Sequence, residues 1–284
     1  MSVRVAKSAG FCFGVSRAVE LVQQAAAAGK RTLTLGPIIH NRHVVEQFAA
    51  AGVRVIDSPE EAGPGDTVVI RSHGVSREVY KRLESTGAEI IDATCPFVKR
   101  IHGLVSQAEA EGRLPVIIGT PTHPEVEGIA GWCGDCRIFD SADALKKWVQ
   151  EEEIGADTPI CMVSQTTSTE SLWKLCRNFA KKQFTNLKIF DTICKATEDR
   201  QTEAASLSRE CQAMVVVGDA KSSNTGRLAM ICREYCDRVA LVDDASELEP
   251  AFFAGITDVG ITAGASTPAW IIKEVNKTMS EITN

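Results

Sequence analysis

At 284 residues, with 44% hydrophobic and 24% charged side chains, the chain is long enough to bury real cores without metal or disulfide staples, and its composition is not that of a disordered, collagenous or coiled-coil protein. A net charge of −6, from 31 basic and 37 acidic residues, argues against nonspecific binding to nucleic acid or membrane, while leaving room for a small anion held by local donors. No apolar run approaches the ~20 residues needed to cross a bilayer, and Met1 to Lys7 lacks the apolar core of a signal peptide. A reducing cytoplasm is therefore expected, with the ten cysteines as thiols.

Twelve short β-branched runs follow one another along the chain, beginning near Val3, Thr32, Val53, Thr67, Glu89, Pro115, Arg137, Pro159, Leu187, Ala213, Arg238 and Asp258. Amphipathic stretches separate them, among them residues 15–28, 97–111, 172–184, 197–211 and 268–279. This alternation predicts an α/β protein built on mostly parallel sheets.

Length alone suggests two domains, but a weak internal repeat points to three. Ile91-Asp92-Ala93-Thr94-Cys95 and Phe190-Asp191-Thr192-Ile193-Cys194 both read strand, Asp-x-x-Cys, helix. Val3 to Ala6, followed by Gly10-Phe11-Cys12-Phe13-Gly14 and a helix, repeats the order without the Asp. Cutting at these cysteines leaves segments of similar length, each holding four of the twelve runs once the N-terminal run is counted with the last. Three small lobes are expected, 13–95, 96–193, and 194–284 joined by 1–12, each with a four-stranded sheet, in a pseudo-threefold arrangement that brings Cys12, Cys95 and Cys194 to a common axis.

An isolated cysteine is by default a small buried hydrophobe; a trio repeated at helix starts is better read as a ligand set. Thiolates select zinc, copper(I) or iron–sulfur clusters, and structural zinc favours closely paired cysteines that this trio lacks. A helix N-terminus favours the thiolate. Since a 4Fe–4S cluster takes four cysteines when fully held, three would leave one iron open as a Lewis acid, with the cluster at the centre of the lobes.

Loops beyond the carboxyl ends of parallel strands are where α/β proteins bind ligands. They read Gly36 to Asn41, Arg71-Ser72-His73-Gly74, Gly119 to Glu125, Ser164 to Ser168, Gly218 to Gly226 and Thr262 to Pro268, and each opens a helix. A Ser or Thr in any one of them is ordinarily a helix cap. Together, with histidines in three, they fit a cradle for phosphate or diphosphate, although no P-loop string or Rossmann glycine fingerprint occurs. Glu125, beside His123, reads either as a proton donor or as a dipole cap. His43 and His102 fall within helical stretches and read as structural, as do Cys161, Cys176 and Cys211. Cys133 with Cys136, and Cys232 with Cys236, are close pairs without the second pair that a zinc site needs or the strand–helix context of a redox motif.

With these strings in view, the chain resembles the 4-hydroxy-3-methylbut-2-enyl diphosphate reductase family (LytB type), and the similarity runs over essentially its whole length. The strings that carry it are Gly10 to Val15, Ile38 to Asn41, Arg71 to Gly74, Asp92 to Pro96, His123 to Val126, Ser164 to Thr167, Asp191 to Cys194, Ser222 to Thr225 and Thr262 to Ser266. The resemblance implies a trilobed α/β fold around a 4Fe–4S cluster on Cys12, Cys95 and Cys194. It implies diphosphate binding by His40, His73, His123, Ser222, Ser223, Asn224 and Ser266, and proton delivery by Glu125 assisted by Thr166, which orients the substrate hydroxyl and its water network, with His123 also counted among the catalytic residues. The reaction implied is reductive removal of an allylic hydroxyl as water, with electrons from ferredoxin or flavodoxin, giving isopentenyl and dimethylallyl diphosphate at the end of the methylerythritol phosphate route. On the residues alone, two other readings stay open: an iron–sulfur hydro-lyase that needs no external electrons, and a noncatalytic phosphate- or metal-binding regulator.

Overall fold

The computed structural model describes residues 2–282. Twelve strands occur among them, each at one of the runs read from sequence: β1 Ser2–Val5, β2 Arg31–Leu35, β3 Arg54–Ile56, β4 Asp66–Ile70, β5 Glu89–Asp92, β6 Leu114–Ile118, β7 Arg137–Phe139, β8 Ile160–Ser164, β9 Leu187–Ile189, β10 Ala213–Val217, β11 Val239–Val242 and β12 Asp258–Ala263. They form three four-stranded sheets of order β3-β2-β4-β5, β7-β6-β8-β9 and β11-β10-β12-β1, with every pairing among the described residues parallel. The third sheet borrows β1 from the chain's start, with Val3 in register with Val259. Ten helices alternate with the strands: α1 Phe13–Ala27, α2 Arg42–Ala50, α3 Arg77–Ser85, α4 Pro96–Ala110, α5 Pro124–Ala130, α6 Ala142–Glu151, α7 Glu170–Gln183, α8 Lys195–Glu210, α9 Ser223–Tyr235 and α10 Ala269–Ile282. None of the described helices is long and apolar enough to cross a membrane.

The chain divides into two compact units. One comprises residues 1–16, 39–47 and 195–284 and contains the third sheet; the other comprises 17–38 and 48–194 and contains the first two. In the first unit alternate residues of β10 serve opposite faces, as a period of two requires. Val215 and Val217 pack with Ile271, Val275 and Met279 of α10, whereas Met214 and Val216 pack with Ala204 of α8 and Leu228 and Cys232 of α9. The second unit repeats the arrangement. Val116 and Ile118 of β6 join Trp148 and Trp173 from α6 and α7, while Ile117 faces Ile101 and Val105 of α4 and Val126 and Ile129 of α5. Helices on both faces explain why the central strands read as continuous apolar runs without polar alternation.

The helices that follow the three cysteines begin earlier than periodicity indicates, at Phe13, Pro96 and Lys195. Their opening residues are partly exposed: Phe13 is 66% exposed and Phe97 44%. An apolar pattern does not register exposed opening residues, and each cysteine proves to be the residue immediately before its helix.

Candidate functional site

Corresponding positions of the three sheets carry corresponding backbone bonds. The residue after the first strand of each set is glycine, and its N–H donates to the end of the neighbouring strand: Gly36 to Ile56 O, Gly119 to Phe139 O and Gly218 to Val242 O, at 2.8, 2.9 and 2.8 Å. Gly218 has φ +138°, a conformation that a side chain rarely tolerates, and a Cβ on Gly119 would stand 2.8 Å from the Gln165 Cβ. The two residues that follow the third strand lead to a carbonyl that receives a cysteine N–H. Cys95 donates to Ser72 O at 3.0 Å, Cys194 to Thr166 O at 3.0 Å and Cys12 to Ala265 O at 3.2 Å. One local device thus positions all three half-buried thiols, each at a helix start.

In the second unit the acid and its partners meet at the ends of β6 and β8. Val126 and Ile129 anchor α5 in the core, which carries Glu125 in the first helical turn, only 3% exposed. Both carboxylate oxygens are held by one residue: Thr166 N–H donates to Glu125 Oε1 at 2.6 Å and Thr166 Oγ1 to Oε2 at 2.7 Å. His123 is the N-cap of α5, its Nδ1 accepting from the Glu125 N–H at 3.1 Å. An accepting Nδ1 carries no proton, so the neutral ring keeps its proton on Nε2. The His73 ring lies edge-on to His123, with centroids 5.5 Å apart. The Cys95 loop is stiffened by Asp92, which accepts from Thr94 N–H at 2.9 Å and from Lys99 Nζ at 2.7 Å. Burial works against the Asp92 charge, yet these bonds hold its carboxyl below the usual range.

In the first unit the hydroxyls gather at the start of α9. Ser222 is the N-cap, its Oγ accepting from Thr225 N–H at 3.4 Å, and Ser266 Oγ donates to Ser222 Oγ at 3.3 Å. Asn224 is 5% exposed, and its Nδ2 has no hydrogen-bond partner among the described residues. Ser223 accepts from Arg227 Nε at 3.2 Å. His40 is half-buried, two residues before α2; Asn41, next to it, caps that helix by accepting from Val44 N–H at 3.1 Å. His43 lies on α2, edge-on to Trp270 and 3.2 Å from Asp244, and His102 on α4 is stacked on Trp132. Both therefore sit where structural histidines were expected. Cys161, Cys176 and Cys211 are buried core residues, also as expected.

Two buried or half-buried arginines escaped the sequence reading. Arg200 of α8, 5% exposed, donates to Gly10 O at 2.6 Å in the loop of Cys12. Arg17 of α1 donates to Asp92 O at 3.1 Å and Thr94 O at 3.3 Å in the loop of Cys95. An arginine five or six residues after each cysteine (Arg17, Arg100, Arg200) was the available signal; Arg100 differs in being exposed.

Three parallel sheets whose strand-end loops present thiols, imidazoles, a buried carboxylate and capping hydroxyls define an α/β enzyme with its chemistry at strand ends. A family model described as LytB protein matches residues 3–280, and the chain belongs to that family. It is 41% identical over 280 residues to the 4-hydroxy-3-methylbut-2-enyl diphosphate reductase of Caldanaerobacter subterraneus subsp. tengcongensis, covering 97% of this chain and 95% of that protein. It is 41% identical over 284 residues to the reductase of the same name from Pelobacter propionicus, covering 99% of both. Among solved structures it is similar to (E)-4-hydroxy-3-methyl-but-2-enyl diphosphate reductase, described as the terminal enzyme of the non-mevalonate pathway, with TM-score 0.71, 37% identity and coverage of 99% of this chain and 100% of that one. The Plasmodium falciparum E-1-hydroxy-2-methyl-but-2-enyl-4-diphosphate reductase structure superposes with TM-score 0.92 at 25% identity, covering all of this chain and 88% of that one.

Proposed function

We propose that the chain is an oxidoreductase that reduces 4-hydroxy-3-methylbut-2-enyl diphosphate to isopentenyl and dimethylallyl diphosphate, in the cytoplasm, with ferredoxin or flavodoxin as one-electron donor. The full-length relatives support the substrate. The observation that carries the chemistry is Thr166: its hydroxyl and N–H hold Glu125, and its carbonyl accepts the Cys194 N–H, so acid and thiol hang on one residue.

The residues fit a 4Fe–4S cluster held by Cys12, Cys95 and Cys194. All three are half-buried thiols at helix starts, soft donors with the same backbone anchor. We read the lobes as 13–95, 96–193 and 194–284 with 1–12, because each pairs one such cysteine with one sheet. When bound, such a cluster supplies electrons and an open iron that makes the substrate hydroxyl a better leaving group.

The chain's own residues supply binding and protons. The α9 N-terminus, with Ser222, Ser223, Asn224 and Ser266, suits diphosphate oxygens, and the Asn224 Nδ2 is a buried donor that a phosphate oxygen would satisfy. His40, His73 and the Nε2–H of His123 add imidazole donors. Substrate takes up two electrons and two protons and yields product and water: one proton leaves with the hydroxyl, the other goes to an allylic carbon. Glu125 is the proton donor. Because a hydroxyl both accepts and donates, Thr166 Oγ1 can take the Glu125 proton while passing its own to the substrate oxygen. The test is turnover of this substrate by anaerobic protein with a chemical reductant, followed by Mössbauer spectroscopy of the wild type and Cys95→Ser. Brown, active wild type beside a cluster-depleted variant is expected; product formation by colourless protein, or without reductant, overturns the reading.

A further inference from the structure

The Cys133–Cys136 pair has no part in the reductase chemistry, yet it occupies the turn that ends α5, the helix carrying Glu125. Gly131 N–H donates to Glu127 O and Cys133 N–H to Ala130 O, so the helix runs directly into the pair, and Cys133 Sγ donates to Ala130 O at 3.4 Å. The flanks are braced: Trp132 Nε1 donates to Val75 O at 2.9 Å, and Trp132 O accepts from Ser106 Oγ and Arg77 NH2 at 2.8 and 3.1 Å. Between the cysteines the chain is irregular, a Gly-Asp turn leading to β7. The two thiols are half-buried, and each shifts the titration of the other.

We propose that Cys133 and Cys136 form a thiol–disulfide site that a disulfide oxidant closes, separate from the thiols assigned to the cluster. A metal is a poor alternative, since among the described residues no third histidine, cysteine or carboxylate joins the pair within reach of a common ion. The pair itself is asymmetric. Interaction with Cys133 holds the Cys136 thiol below its usual range, with Arg137 assisting against burial and Asp135, while interaction with Cys136 and burial push Cys133 up. The Cys133 S–H is also engaged by the Ala130 carbonyl, so Cys136 is the attacking thiolate. It attacks one sulfur of a disulfide R–S–S–R such as glutathione disulfide, forming Cys136–S–S–R and expelling RS⁻. Cys133 then loses its proton and attacks Cys136 Sγ, forming the Cys133–Cys136 bond and expelling the second RS⁻. Two protein thiols are oxidised by two electrons and the reagent is reduced to two thiols. Closure also removes the S–H that caps the Ala130 carbonyl at the end of α5.

Cys232 and Cys236 provide an internal contrast. Cys232 is fully buried and Cys236 7% exposed, Cys236 Sγ lies against backbone carbonyls of Gln212 and Arg238, and burial pushes the Cys232 thiol up. Both sulfurs there are closed off from a soluble disulfide.

The test treats anaerobic holoenzyme with glutathione disulfide, quenches with an alkylating agent and weighs tryptic peptides. Trypsin releases Leu114 to Arg137, whose only cysteines are Cys133 and Cys136. The expected result is loss of two hydrogens from that peptide, reversed by dithiothreitol, with Cys232 and Cys236 alkylated as thiols. In Cys133→Ser the mixed disulfide should accumulate on Cys136, and in Cys136→Ser the peptide should stay unmodified. A wild-type peptide that keeps both thiols, or carries separate glutathione adducts with no internal bond, overturns the proposal. The readout is a peptide mass and does not depend on cluster or turnover.

Discussion

Thr166 grips Glu125 with two atoms, the N–H on Oε1 at 2.6 Å and the hydroxyl on Oε2 at 2.7 Å, and these two bonds have separable duties. The backbone bond fixes where the carboxylate stands, and no side-chain change removes it. The hydroxyl is the part that can relay a proton. Thr166→Val, close to isosteric, should therefore fold and bind cluster normally but lose on the order of 10²-fold or more in kcat, the range for removing a positioned proton-transfer group. Thr166→Ser should retain most of the turnover. Steady-state kinetics on both variants, with KM compared, checks this; turnover kept in the Val variant and lost in the Ser variant would assign the methyl, not the hydroxyl.

Much of this arrangement was legible in sequence because strands buried on both faces announce themselves as apolar runs, and all twelve were placed. The Asp-x-x-Cys repeat also marked Cys95 and Cys194, since a short loop between strand and helix is a local feature. What sequence did not show is whatever depends on one residue's partner. Nothing in Ser164-Gln165-Thr166 says that Thr166 reaches both Glu125 oxygens, because 41 positions separate them. Arg17 and Arg200 were missed for the same reason: a buried arginine on a helix looks like a solvated one until its carbonyl acceptor is known.

Asn224 offers a second prediction. Its Nδ2 is desolvated, with no protein acceptor among the described residues, so it costs the free enzyme and favours the complex. Asn224→Ala should weaken diphosphate binding by about 10- to 100-fold, the loss of one hydrogen bond to a charged group, ~1.5–3 kcal/mol. Thermal stability should be unchanged or slightly raised. Isothermal titration with the substrate or inorganic diphosphate, alongside a melting curve, separates the two: a destabilised variant with unaltered affinity would make Asn224 structural.

Arg200 should matter to the cluster without touching it. Its guanidinium donates to Gly10 O at 2.6 Å and to Ala196 O at 2.8 Å, bridging the Cys12 loop to the first turn of α8. Arg200→Met keeps much of the apolar stem and removes the donors, leaving the Gly10 carbonyl without this bond. A stability loss of about 2 kcal/mol is expected for a buried bond to a charged donor, together with less iron retained per chain after anaerobic gel filtration. Full iron content in a destabilised variant would confine Arg200 to folding.

His102 sets a pH limit on stability. The ring is 4% exposed and stacked on Trp132 with centroids 5.1 Å apart. Burial lowers its pKa from 6.5 to about 4, with Lys99 adding to the effect and Asp92 opposing it. Above 6.5 the ring is neutral in both folded and unfolded chains and contributes no pH dependence. As the pH falls from 6.5 towards 4, the unfolded chain takes up a proton that the folded chain refuses, so stability present at neutral pH is lost across that window and then levels off. The loss amounts to about 3 kcal/mol, because each tenfold drop in proton affinity on folding is worth ~1.36 kcal/mol. In His102→Phe, which can keep the stack on Trp132, this component should vanish. Urea denaturation of both proteins at about pH 7 and about pH 5 measures it as the difference in slope, since other titrating groups are common to both. Parallel slopes would show that His102 takes up its proton in the folded protein as readily as in the unfolded chain.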